Sequence, residues 1–583
     1  MVETEQQQEA TERQFVGRQT MIHGHMQRKR QGYEGFMAET AAMFCPELYM
    51  RPGNTLQPGR RFGEDIWDGY PQLALHTWSR GIPGNMIHVK DPWFKMEINV
   101  ADLMDEPEVR QYCEERTEQV VYGLRRTNFY KDNAQFCRYA GAVGGYLFPI
   151  VNPKKRSLYF YLEDPFYVWV ERDIFGEMIR CHREFTTTAQ ALADDFGMES
   201  LHPNHVRMLR GGDPYQEVKV LHGIFVNPQY DAFSLDAAHK PYVEFYIDQS
   251  NRHLIYHTGC DYMALDWCVE RAPRMAYPLT PAMFALTDSY GTDTLSKSLF
   301  QVALEAGNPQ MRASKTLRAT YKEGPGAITW IDDSVREIVE QVRKKLEWPV
   351  SDSERAEIVR RVDLWFSVPY WRMLSAMNDT SSFPTAYQVR EVQAEKATLL
   401  GPQVGTYTAE VLDVAVDIVS QYEAANEPIE MPDILQAYLA YQARRDLARM
   451  GFDADDMAVI EHANKHPAAY LEAQYTGALT QIQAQTIHAR KYGDGLAAMQ
   501  MITEQWPEAK HIVNPYPLTR NILEAANWSQ EEMKTKEEYE MVVAILQQQE
   551  DLMQQMEMEK AGAESYAKLV QAPERGSPAE QAA

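Results

Sequence analysis

The sequence predicts an α+β protein, mostly helical, in which a strand-rich first half leads into a helical second half. Between Gly145 and Val220, apolar and polar residues alternate in aromatic runs such as Leu158-Tyr159-Phe160-Tyr161 and Tyr167-Val168-Trp169-Val170, the period of strands. After Tyr290-Gly291, apolar residues recur instead at helical spacing in long segments. At 583 residues and 67.1 kDa the chain outgrows one core, since cores stop growing near ~250–300 residues, so several domains are expected.

Residues 1–50 are polar and then helical in pattern, with Arg28-Lys29-Arg30 set among glutamines, and read as a surface arm or first helix. Pro52-Gly53, Pro58-Gly59, Gly81 and Pro83-Gly84 mark Arg51–Asp91 as loops. Within 105–135, Val109, Cys113, Thr117 and Val120-Val121 predict a helix that ends near Arg126. Asp173-Ile174-Phe175-Gly176 reads as a hairpin turn, and Thr186-Thr187-Thr188 as the cap of a helix running to Phe196-Gly197. Further strands are expected near 216–226, 241–248 and 252–258.

The helical half is expected from about 285, with a helix opening near Thr292-Asp293 and faltering at Gly307-Asn308-Pro309. Gly324-Pro325-Gly326 with Ile328, Trp330 and Ile331 suggests a small β-containing excursion within 316–350. Ser351-x-x-Glu354 is a capping box for a helix with Ile358, Val362 and Trp365 on one face, ending at Pro369. Thr385-x-x-Gln388 starts another, which Gly401-Pro402 should kink. Beyond Pro428 the chain reads as almost wholly helical, with Met541, Ile545, Leu552 and Met556 on one late stripe and a disordered tail from Ala572.

Composition excludes several function classes. A hydrophobic content of 44% supports real cores. The net charge of −25, from 58 basic and 83 acidic residues, argues against a protein that coats nucleic acid, because that affinity comes from Lys and Arg neutralising phosphates. Six scattered cysteines without C-x-x-C suit a reducing compartment. The start of the chain lacks the basic and apolar regions of a signal peptide. The apolar run Ala140 to Val151 falls short of the ~18 residues a membrane span needs.

Candidate chemistry is sparse. The phosphate-cradling G-x-x-x-x-G-K-[ST] and the nucleophile elbow G-x-S-x-G are both absent. Gly141-Ala142-Val143-Gly144-Gly145 reads as a close helix–strand contact. His462 and His466 share a helix face beside Glu461 but lack the zinc-protease order, and His257, Cys260 and Cys268 lack a fourth ligand. Glu163, Asp164, Glu171 and Asp173 could serve a hydrolase at the right separation, yet carboxylates flanking hairpins are usually solvated. Trp365, Phe366, Tyr370 and Trp371 could stack on bases, but an aromatic stripe on a helix is normally buried. No catalytic residue, metal site or cofactor is expected.

In order and spacing, a series of residues resembles the head-to-tail connector, or portal, family of short-tailed bacteriophages. They are Asp91-Pro92-Trp93-Phe94; Phe136, Gly141 and Gly144-Gly145; Pro165 and Tyr167 with Glu171 and Gly176; Arg183-x-Phe185 and the threonines after it; Leu192 and Phe196-Gly197; Tyr290-Gly291; Gly324-Pro325-Gly326-Ala327; Thr385-Ala386-x-x-Val389; and Glu395 with Gly401-Pro402. The resemblance spans about 75–525, and the chain departs from the pattern around Gly307–Pro309 and after Pro515.

The resemblance implies a twelve-subunit ring of about 800 kDa at one capsid vertex, in the virion after assembly in the host cytoplasm. It implies a wing (1–288), stem helices (289–315 and 351–372), a clip (316–350), a channel loop (373–385), a kinked wing helix (386–428), a crown (429–530) and a C-terminal helix, barrel and tail (531–583). Implied partners are capsid and scaffolding proteins, the terminase motor, tail adaptor and tail or core proteins, and double-stranded DNA passing without sequence specificity. Asn378, Asp379, Thr380, Ser381 and Ser382 would face that DNA, while Lys322, Arg343, Lys344 and Lys345 would meet acidic partners or phosphates. Pro309–Glu347 carries eight basic and six acidic residues, whereas 529–560 carries three and nine, so the chain is electrically polarised. The competing readings are another phage structural component, such as a minor capsid or baseplate protein, and an acidic hydrolase using Glu163 and Glu171.

Overall fold

A computed structural model describes residues 2–48, 63–89, 92–104, 106–152, 157–213, 215–231, 236–307, 311–312, 340–341, 348–371, 399–439, 441, 471–476 and scattered helical positions within 539–561. It divides into two compact units, Met1–Thr480 and Gln481–Ala583. Among the described residues the first unit mixes helices with four antiparallel sheets, an α+β architecture.

Helix α1 (Val2–Phe44) buries Val16, Gln19, His23, Met26, Arg30, Met37, Ala41 and Phe44. These positions recur every three or four residues along one face, apart from one two-turn step between Arg30 and Met37. The stripe interleaves polar and apolar side chains, so hydropathy left open a surface arm or a first helix, and the first helix is what forms. Arg30 is a buried anchor: Nη1 donates to the Val168 carbonyl at 2.5 Å and Nη2 to that of Phe166 at 2.7 Å.

Helix α2 (Tyr70–Met86) overturns the expectation of loops across Arg51–Asp91. Pro71 occupies the first turn, where no N–H is needed. Gly81 is required because a Cβ there would lie 2.4 Å from the Trp371 ring. Gly141, on α5 (Phe129–Ala142), makes the same close contact with Trp78 of α2, helix on helix, while the helix–strand contact expected of that glycine stretch is at Gly145, where a Cβ would lie 2.8 Å from the Phe136 carbonyl. Trp78 in turn stacks on Trp267, 5.2 Å between centroids and 7° between planes.

Strand β1 (Phe94–Glu97) and the short α3 (Ala101–Met104) precede α4 (Pro107–Arg126), which ends where expected. Asn128, between α4 and α5, donates to the Phe160 carbonyl and accepts its N–H, taking the place of a neighbouring strand. Strands β2 (Gly145–Asn152) and β3 (Ser157–Glu163) form a hairpin. It is completed by β9 (Leu265–Trp267) on the other side of β2.

The main sheet is a five-stranded antiparallel meander of β4 (Val168–Arg172), β5 (Met178–Thr188), β6 (Glu217–Val226), β7 (Tyr242–Asp248) and β8 (His253–Cys260). Asp173 forms the β4–β5 turn by accepting the Phe175 and Glu177 N–H groups. Thr188 caps α6 (Ala189–Phe196) by accepting the Ala191 N–H, and α7 (Pro203–Gly211) follows. Side chains alternate between the sheet's faces. Leu221, Phe245 and Ile247 pack against Val16 and Phe15 of α1. Val218, Val220, Tyr246 and Ile255 pack with Ala189, Leu192 and Leu201, which are on or beside α6 and α7.

Helix α8 (Pro281–Gly307) begins before the expected Thr292, so Tyr290-Gly291 lies inside it rather than opening it. Thr280 accepts the Met283 N–H and Pro281 fills the first position, which together fix the start. Beyond Gly307 come β10 (Met311–Arg312) and its partner β11 (Glu340–Gln341), then α9 (Trp348–Trp365), which starts ahead of the Ser351 capping box. The helix stops before Pro369, at Ser367 with φ +52°.

A helical run over 399–426, α10, contains a π-helical turn at Thr408–Leu412 and ends as Asp413–Asn426. It packs on α4, where the buried Arg116 donates to the Ser420 carbonyl and hydroxyl. The region after Pro428 was expected to be almost wholly helical. It instead contains β12 (Glu472–Tyr475), which pairs antiparallel with β1. In the second unit, Met541, Ile545 and Met556 occupy helical positions and are exposed. No described helix is long and apolar enough to cross a membrane.

Candidate functional site

Helices α8 and α9 form the most distinctive structural device. As positions ascend along α8 their partners descend along α9, so the pair is antiparallel. Phe284 stacks on Trp365 at 5.4 Å and 16°, Asp288 pairs with Arg361 at 3.0 Å, and Ser296 accepts from Arg355 at 2.8 Å. Gly291 faces Ile358 between them.

The segment before α2 clasps this pair. Asp293 accepts the N–H groups of Trp67 and Asp68, at 2.6 and 2.9 Å. The nearly buried Asp68 carboxylate receives Arg355 Nη2 at 2.9 Å and the Ser296 hydroxyl at 2.8 Å. Tyr70 adds a hydrogen bond to Asp363. Sequence reasoning missed Asp68, Asp293 and Arg355, because each partner lies more than two hundred positions away or on another element and no local pattern marks it.

The aromatic set expected to be packed is mixed. Phe366 is buried against Phe44, and Trp371 lies on Gly81 and donates from Nε1 to the Phe366 carbonyl. Trp365 is more open. With Phe284, Phe300, Leu304, Leu364 and Trp67 it leaves the helix pair with large exposed apolar side chains, Leu364 at 60% and Leu304 at 57%.

The candidate hydrolase carboxylates are engaged in structural contacts. Glu163 pairs with Arg183 at 3.1 Å, both nearly buried. Burial raises the Glu163 carboxyl and the guanidinium opposes that rise. Arg183 Nε also donates to His222 Nδ1 at 2.8 Å, which leaves His222 Nε2 to donate to Glu244. Burial first, and Arg183 second, push His222 down to about 4. Glu171 pairs with Arg180 at 3.4 Å and reaches Lys29 at 4.0 Å. Asp164 accepts the Phe166 N–H, and burial pushes its carboxyl up to about 6.

Among the described residues, no three His, Cys, Asp or Glu side chains come together as a metal site requires. His257 instead makes an edge contact with Phe15. Asn378, Asp379, Thr380, Ser381 and Ser382, together with Lys322, Arg343, Lys344, Lys345, His462 and His466, lie outside the described residues, as does the helix start at Thr385. Gly401 and Pro402 sit in α10 ahead of its π-helical turn.

The model of the bacteriophage head to tail connecting protein family matches residues 18–443, from within α1 to beyond α10. The chain belongs to that family. As a member of the connecting family it is similar to the portal protein of Salmonella phage epsilon15, with 24% identity over 388 residues, covering 64% of this chain and 68% of the relative. It is also similar to the probable portal protein of Bordetella phage BPP-1, with 21% identity over 417 residues, covering 68% and 72%. The connecting-protein match takes in the main sheet and the α8–α9 pair together. The family is structural rather than enzymatic, in keeping with carboxylates tied into ion pairs and caps.

Proposed function

We propose that this chain is a phage portal subunit, copies of which close into a ring at one capsid vertex to pass DNA inward during packaging and outward during ejection. The observation that carries the reading is the connecting-family match over residues 18–443. Head-to-tail contacts between identical subunits close a ring around an axial hole. The exposed apolar residues of α8 and α9 supply surface of the kind that neighbouring copies cover.

In this reading α8 and α9 are the stem, residues 316–350 the clip toward motor and tail, 1–288 with the Gly401–Pro402 helix the wing, 429–530 the crown, and 531–583 a C-terminal helix or barrel. Twelve copies, each at −25, carry about −300 before counterions, and a channel with mostly negative walls cannot hold a duplex by counterion release. Screening confines the repulsion to about 8–10 Å, which lets DNA slide. Asn378 to Ser382 would face that DNA. Lys322 and Arg343 to Lys345 would serve the clip's partners, with capsid, scaffold, terminase and tail adaptor docking around the ring.

Light scattering with negative-stain microscopy tests the proposal. Rings of about 800 kDa with a central hole are expected. Particles that stay at 67.1 kDa alone and with scaffold and capsid proteins would refute it.

A further inference from the structure

The face of the main sheet beneath α1 holds a group of buried polar atoms that the portal reading does not use. His182 on β5 is fully buried, and neither ring nitrogen has a hydrogen-bond partner. Trp169, directly opposite on β4, keeps its indole N–H unpaired, and His23 on α1 keeps Nδ1 unpaired. The rings are close: His23 to His182 5.5 Å, His23 to Trp169 4.8 Å edge-on, and Phe245 to His182 5.4 Å edge-on. Gly223 on β6 has no side chain because a Cβ there would fall 2.7 Å from the His182 ring and closer still to Phe245.

We propose that the docking of α1 on this sheet is an acid-released latch whose sensor is His182. A neutral imidazole fits the aromatic box, but an imidazolium there would carry two N–H donors with nothing to accept them. Of the charged and titratable groups around it, His23 of α1 and Arg180 of β5 oppose a positive charge, as does His222 of β6 from the opposite layer. Glu184 of β5 is the exception, while β4 and β7 present Trp169 and Phe245.

Glu184, two residues along β5, is already occupied. It takes His23 at 2.9 Å and Gln249 at 2.6 Å, with Gln27 at 3.5 Å. Arg180 donates to Gln19 of α1 at 2.9 Å. His222 points to the opposite layer and is held by Arg183 and Glu244. Water therefore reaches a protonated His182 only if α1 moves off the sheet.

The sign follows from the burial. Desolvation, helped by His23, Arg180 and His222, holds docked His182 well below the ordinary imidazole range. Once undocked and solvated, it titrates near ~6.5. The undocked state thus binds the proton more tightly. Docking is at full strength above ~6.5 and weakens as pH falls below it.

Amide exchange on the full-length chain, corrected for intrinsic rates, tests this. Between pH of about 7.5 and 5.5 the opening of α1 should rise about tenfold relative to β6 and β7, the change in proton binding expected of one free imidazole. His182→Leu and His182→Gln, which cannot titrate, should flatten the response; either one suffices if the other does not fold. Unchanged α1 protection in the wild type would overturn the latch. So would a tenfold response that survives in a folded His182 variant, because it would place the sensor at His23 or at His257 beneath Phe15.

Discussion

Arg355 on α9 reaches 2.9 Å from the carboxylate of Asp68, a residue ahead of α2 that is itself nearly buried. This contact ties the helix pair to the body of the first unit at the same point where Ser296 of α8 joins. Arg355 keeps about a third of its side chain exposed, so solvent weakens the pair.

Replacing Asp68 with Asn should cost about 1–3 kcal/mol, mostly from the partner donors left unsatisfied. A cycle with Arg355→Met should return a coupling near 1 kcal/mol in denaturant titrations. A coupling of zero would mean that the clasp holds nothing.

Gly141→Ala should destabilise by about 1–3 kcal/mol, because the new methyl meets the buried Trp78 ring and the Leu75 side chain on α2. Gly405→Ala, where nothing lies near the added methyl, is the internal control and should be neutral or slightly stabilising in a thermal melt.

Asp164 gives a pH dependence opposite to the usual one for a carboxylate. Its folded value of about 6 lies above the 3.8 of the free side chain, so the folded chain binds this proton more tightly. Its contribution to stability therefore grows as pH falls from about 6 toward 3.8. Asp164→Asn should be more stable than wild type near pH 7.5 and lose that advantage near pH 4. An advantage that persists at both pH values would show that the carboxylate is not the source.

Leu364→Glu and Leu304→Glu change exposed side chains on the α8–α9 pair. Each should leave the melting temperature of the isolated chain within a few degrees while lowering the ring fraction in size-exclusion chromatography. Intact rings from the double variant would remove this face from the subunit contact.

Asp379→Lys tests the channel loop. A positive ring facing the duplex should slow packaging in an extract assay and steepen its salt dependence. Unchanged packaging and retention would place the loop away from DNA.

The parts of the fold legible in the sequence were those whose cause is local. The Asp173 turn and the Thr188 cap depend on side chains bonding N–H groups two to four residues away, and β6, β7 and β8 fall where strands were expected, near 216–226, 241–248 and 252–258. Helix α2 was hidden because its glycines and Pro83 suggest loops. In fact Gly81 answers to Trp371 on a distant element. The buried stripe of α1 was hidden for a related reason: His23 and Arg30 find their partners on the sheet rather than in solvent. The expectation of solvated carboxylates failed at Glu163, which is nearly buried against Arg183, and Glu171 pairs with Arg180, because both partners lie on β5 rather than nearby in sequence.

Strand β12 has a consequence for biosynthesis. Asn99 and Glu472 are bonded across 373 positions, so β1 emerges from the ribosome long before its partner. At ~5–20 residues per second the interval is about 20–75 s. Throughout it, the backbone of Phe94 to Glu97 presents an open edge beside Trp93, the kind of template on which nascent chains stick to one another. A chain cut short before Leu471 retains that edge permanently and should accumulate as aggregate rather than as a usable subunit.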